Sequence, residues 1–148
     1  MAEGRRSWRG WRVRGAGVWA VVWPVLGAGA ALPAAATQQV HCEVRYASQT
    51  WQLDAPATER PYEVPAIDIG QRFRFKAVVR GAEHITHIAL YTYDMEADGA
   101  PALVHEQRLS APFAAGAQVP ALTGWNHVYA SVLGRELVYG CALREVAP

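Results

Sequence analysis

The sequence predicts an all-β protein: an antiparallel immunoglobulin-like β-sandwich of about seven to eight short strands, with a small β-barrel as the alternative, behind a signal peptide. Three observations predict this. Apolar and polar residues alternate with period two in most segments after residue 37. Glycine, proline and aspartate punctuate these segments as turns about every 8–12 residues. No stretch after residue 37 sustains a helical period or carries a helix cap.

The first 36 residues differ in kind from the rest. Arg5, Arg6, Arg9, Arg12 and Arg14 form a basic head, and no charge follows from Gly15 to Val40. Ala34-Ala35-Ala36 supplies the small residues that a signal peptidase reads, so residues 1–36 are expected to be a signal peptide and residues 37–148 a single domain. The alternative is an uncleaved anchor, since the uncharged run is long enough for a bilayer core of about 30 Å. Pro24, Pro33 and the Gly/Ala-rich second half favour cleavage. Basic residues ahead of the apolar run place residues 37–148 outside the cytoplasm in either case, with a membrane partner only if the leader is retained. Thirteen of the fourteen basic residues are arginine, the usage of a GC-rich bacterial genome, so the expected location is periplasmic or secreted.

Without the leader, nine Arg/Lys face twelve Asp/Glu, a net charge of −3 before histidines. A nucleic-acid partner requires clustered basic charge that displaces counterions. Scattered charges on a mildly acidic chain exclude that class.

The two cysteines lie at opposite ends of the domain. In "VHCEVRY", Val40, Cys42, Val44 and Tyr46 alternate with polar residues, and in "ELVYGCAL" Leu137, Tyr139, Cys141 and Leu143 share one side. Both sulfurs therefore point inward, and in an oxidising compartment they join as a Cys42–Cys141 disulfide. The first and last strands are then neighbours.

Between them, "TWQLDA" (50–55) is a short strand and the Pro-containing 55–62 a connection. "YEVPAIDIG" (62–70) is interrupted by Pro65, which marks an edge strand or bulge. "QRFRFKAVVRG" (71–81) is the clearest strand, with Phe73, Phe75, Ala77 and Val79 on one face and Arg72, Arg74 and Lys76 on the other. "HITHIALYTYD" (84–94) and "LVHEQRL" (103–109) form a hairpin around Asp98-Gly99. A loop of small residues (110–124) precedes two more strands, in 125–143, around Leu133-Gly134-Arg135-Glu136.

Chemistry candidates are few. His84, His87, His105 and His127, with Met95 as a soft donor, are candidate ligands for copper or zinc. His84 and His87 converge only across a bend, because residues three apart on a strand face opposite sides. Otherwise no cofactor is expected. Asp68, Asp94, Glu96 and Asp98 sit at strand ends and in a turn, where carboxylates bond local backbone. Ser110 and Ser131 lack a hydrolase elbow. Tyr91 and Tyr93 share one face of a strand, and Trp125 and Tyr129 a face of another. Turned inward they are core, the commoner fate of such residues; turned outward they form a platform for a partner. The expected function is a non-enzymatic binding or accessory module for another exported or membrane-anchored protein. A periplasmic copper or zinc binding protein and a small hydrolase are the alternatives.

Overall fold

The computed structural model describes residues 37–82, 84–95, 99–130 and 134–146. The expected signal peptide lies outside them, as do Glu96, Asp98 and Ser131. Eight strands run β1 Thr37–Tyr46, β2 Gln49–Thr58, β3 Ile67–Ile69, β4 Phe73–Arg80, β5 His87–Met95, β6 Pro101–Ser110, β7 Asn126–Ala130 and β8 Arg135–Val146. They form one sheet in the order β6-β5-β4-β2-β1-β8-β7, with β3 beside β4. The sheet is all-β as expected and curls almost into a barrel, between the two predicted architectures.

One pairing departs from the antiparallel expectation. β2 runs antiparallel to β1 from Gln49 to Pro56, then parallel to β4 at Ala57 and Thr58. β2 is thus longer than the sequence suggests and changes partner just after Pro56, which has no N–H to give a ladder. The proline at 65 lies outside any strand, just ahead of β3, which is only three residues long. The sheet order ends instead at β6 and β7.

β3 and β4 are joined by a tight turn. Gly70 and Gln71 have φ of 59° and 58°, and the Arg72 N–H donates to Ile69 O at 3.2 Å. Positive φ at both central positions is the type I′ pattern that matches strand twist. Asp68 Oδ1 accepts from the Gln71 N–H at 2.8 Å and fixes it.

Alternation places the core. Val40, Cys42 and Val44 of β1, Phe73, Phe75 and Val79 of β4, Ile88 and Leu90 of β5, and Leu137, Tyr139 and Cys141 of β8 are fully buried. Each large apolar side chain among them contributes about 1.5–3 kcal/mol on burial. Tyr46 meets Phe73 edge-on at 5.3 Å, and Phe75 meets Tyr139 at 5.0 Å.

Cys42 and Cys141 are direct cross-strand partners, bonded, with Cα atoms 4.1 Å apart. The Cys141 backbone turns away from β1: its N–H donates to Thr123 Oγ1 at 2.9 Å and its C=O accepts from the Leu122 N–H at 2.9 Å. The pair therefore occupies a narrow, non-hydrogen-bonded site of the ladder, where facing side chains come closest. The predicted disulfide is present, and it fits an oxidising compartment.

Between β6 and β8 the interior is polar. Tyr139 donates its hydroxyl hydrogen to Gln107 Oε1 at 3.0 Å, which leaves His105 to donate from Nε2 to the Tyr139 hydroxyl oxygen at 2.9 Å. Burial pushes the Tyr139 phenol far above its usual value, so it stays protonated and keeps donating.

Candidate binding face

The alternation that sends Phe73, Phe75, Ala77 and Val79 inward sends Arg74, Lys76, Val78 and Arg80 to the other side of β4. On β5 it sends Ile88, Leu90 and Thr92 inward and His87, Ala89, Tyr91 and Tyr93 outward. Register assembles these into rows across the sheet. Arg80, His87 and Ser110 form one row, Val78, Ala89 and Arg108 the next, then Lys76, Tyr91 and Glu106, and finally Arg74 beside Tyr93. Pro61 and Tyr62, from the β2–β3 connection, wall this face and complete a concavity of about 450 Å³. Its floor is Val78 and Ala89, small apolar residues flanked by Tyr91.

Cations outnumber acids on this face. Arg74, Lys76 and Arg80 make no ion pair with the described residues. Two acids share the face: Asp68 on β3, directly opposite Arg74 and accepting from the Gln71 N–H, and Glu106, held by the Arg108 Nε at 2.6 Å. That hydrogen bond raises the guanidinium's affinity for its proton. Burial first, and then the Glu106 charge, raise the Tyr91 hydroxyl above its usual value, so it is a donor at neutral pH. Tyr91 and Tyr93 stack on each other with centroids 6.4 Å apart and 24° between planes. Tyr62 is 96% exposed, a large ring open to solvent.

The tyrosines at 91 and 93, for which a core position is the commoner fate, thus stand outside the core. Trp125 and Tyr129 are also outward but belong to a different face, that of β7 and β8. Arg45 lies 4.2 Å over the Trp125 ring, and Tyr129 donates to Glu136 at 2.8 Å. The metal candidates do not converge. His84 precedes β5, His87 faces outward on β5, His105 faces inward on β6, and His127 is outward on β7 with its Nδ1 2.7 Å from Glu136. Met95 ends β5. Among the described residues no group of three or more His, Cys, Asp and Glu could hold a metal ion. Of the carboxylates, Asp94 is buried, and neither its Oδ1 nor the neighbouring inward Thr92 Oγ1 has a hydrogen-bond partner among the described residues.

His41, which alternation turns away from the core, is 4% exposed and pairs with Asp54 at 2.6 Å. Sequence reasoning did not single out Lys76, Arg80, Arg108 or Tyr62 as site residues. Their signal was the run Arg74, Lys76, Val78, Arg80 on a single strand face, which becomes a site only once β5 and β6 are set in register beside it. A scan against protein-family models, a search of the curated proteins and a search of the solved structures each found no match to this chain.

Proposed function

We propose that this protein is an exported, disulfide-closed, non-enzymatic binding module that docks another exported or membrane-anchored protein on the outward face of β4, β5 and β6. One observation carries the reading: two stacked tyrosines lie in a concave face beside Lys76 and Arg80, which have no ion-pair partner among the described residues. Tyrosine and arginine dominate the binding energy of protein interfaces, where burial against a partner desolvates them. The leader pattern of residues 1–36 and the Cys42–Cys141 bond support export to the periplasm or beyond. The copper or zinc alternative gains no support from the histidines, which do not converge among the described residues.

The test is capture followed by reconstitution. Protein exported by its expression host and purified with its disulfide intact is used to capture partners from periplasmic extract. The captured protein is identified by mass spectrometry, purified and rebound. The expected result is that Tyr91→Ala with Tyr93→Ala weakens rebinding at least tenfold while circular dichroism is unchanged. Rebinding insensitive to these substitutions, or a purified candidate that does not rebind, overturns the reading.

A further inference from the structure

The cations on this face are ordered, and their order specifies a ligand. Outward residues of a strand recur about every 6.6–7 Å, and neighbouring strands lie about 4.8 Å apart. Arg74, Lys76, Val78 and Arg80 therefore form a straight ladder along β4: two cations, one apolar step, one cation. The apolar step continues sideways into Ala89, the floor of the concavity, and ends at Arg108 on β6. An extended polypeptide laid over the face repeats its own side chains at the same spacing. A carboxylate at every second position would meet Arg74, Lys76 and Arg80 in turn, and an apolar side chain between the second and third would sit on Val78 and Ala89 against the Tyr91 ring.

We infer that the partner of this module presents an extended acidic segment with the pattern acidic-x-acidic-x-apolar-x-acidic, read by Arg74, Lys76, Val78 and Arg80. This deepens the reading above and rests on it. The charge complementarity is direct: the ladder holds three cations without ion-pair partners among the described residues, and of the two acids beside it Asp68 accepts from the Gln71 N–H and Glu106 is bound by Arg108. Arg108 and the tyrosine hydroxyls add donors along the flank. Pro61 and Tyr62 bound the opposite side, so the segment is confined to run along β4 rather than across it.

The probe is a fluorescein-labelled peptide of sequence ESESLSE, titrated into the exported, disulfide-bonded protein and followed by anisotropy. Three comparison ligands accompany it: QSQSLSQ, a scrambled peptide of identical composition, and a uronic-acid oligomer of equal charge. Expected is binding of ESESLSE at least tenfold tighter than that of QSQSLSQ, and several-fold tighter than that of the scramble. It should weaken steeply between about 0.05 and 0.5 M salt, where screening shortens to a few ångströms. In the protein, Lys76→Glu with Arg80→Glu should abolish it. Equal binding of ESESLSE and QSQSLSQ overturns the inference, as does tighter binding of the uronic-acid oligomer than of the peptide. If partner rebinding falls with Tyr91→Ala and Tyr93→Ala but ignores Lys76→Glu and Arg80→Glu, the docking face stands and its acidic specificity falls. If rebinding ignores both pairs, the face itself is wrong.

Discussion

Two outer faces of this molecule are built from the same ingredients and end in opposite states. On the face of β1, β8 and β7, Arg45 is held by Glu43 at 3.1 Å and lies over Trp125. Glu136 is shared by His127 and Tyr129, and Arg144 donates to Ala117 O at 3.0 Å. Cations and rings there are satisfied within the chain. On the face of β4, β5 and β6, Arg74, Lys76 and Arg80 have no ion-pair partner among the described residues, and Tyr91 and Tyr93 stack on each other. The difference teaches that composition does not mark a binding surface; what marks it is whether the fold itself supplies the counterpart of each group.

The sharpest way to break this contrast is to attack the closed half. Cys42→Ala with Cys141→Ala releases a link spanning 99 positions, and urea unfolding should show a loss of about 4 kcal/mol on the chain-entropy argument. A loss under about 1 kcal/mol would mean that the first and last strands hold each other without it.

Gly140→Val comes next. A Cβ at Gly140 would stand 2.7 Å from the Pro120 Cβ and 3.0 Å from the Trp125 ring, so the loop over β8 must move. The expected cost is about 2–3 kcal/mol, the upper part of the range for overpacking. Binding of the acidic peptide on the far face should be unchanged, which measures how independent the two faces are.

Tyr139→Phe removes the hydroxyl that serves both Gln107 and His105 and leaves two part-buried groups unpaired. A loss of about 1–2 kcal/mol is expected. Smaller still is the effect of Lys76→Gln with Arg80→Gln, which should change stability by no more than about 0.5 kcal/mol. Cations that stabilise the fold would lose more, and the contrast between the faces would close.

The finest probe is pH. Hydrogen bonds from His127, then Tyr129, hold the Glu136 carboxyl below its ordinary 4.5. A depressed folded value stabilises the native state above the ordinary glutamate range and loses that contribution as pH falls through the depressed value. NMR titration should show Glu136 protonating below the ordinary glutamate range, and Tyr129→Phe should move it back up. No shift on that substitution would mean the phenol does not engage the carboxylate.

Much of the fold was legible because period two is a strong signal where one side is buried. The inward sets Val40-Cys42-Val44, Phe73-Phe75-Ala77-Val79 and Leu137-Tyr139-Cys141 all lie where the pattern puts them. The disulfide was legible for the same reason. The parallel contact of β2 with β4 was not, because it depends on a partner change that leaves no local mark beyond Pro56. The candidate face was half legible: the polar side of "RFRFKAVVR" was plain, and so was the shared side of Tyr91 and Tyr93. That these two sides are one surface follows from register between strands, Lys76 opposite Tyr91 and Val78 opposite Ala89, and register is a property of pairs that no single strand carries. The charges that look scattered along the chain are gathered by that register.

The most direct test of the central claim is where the partner touches. Amide chemical shifts of the exported, disulfide-bonded protein, followed as the purified partner is added, should move at Tyr62, along Arg74–Arg80 and His87–Tyr93, and at Arg108, while Arg45, Trp125, Tyr129 and Glu136 stay still. Shifts concentrated on that second group, with β4 and β5 silent, would contradict it.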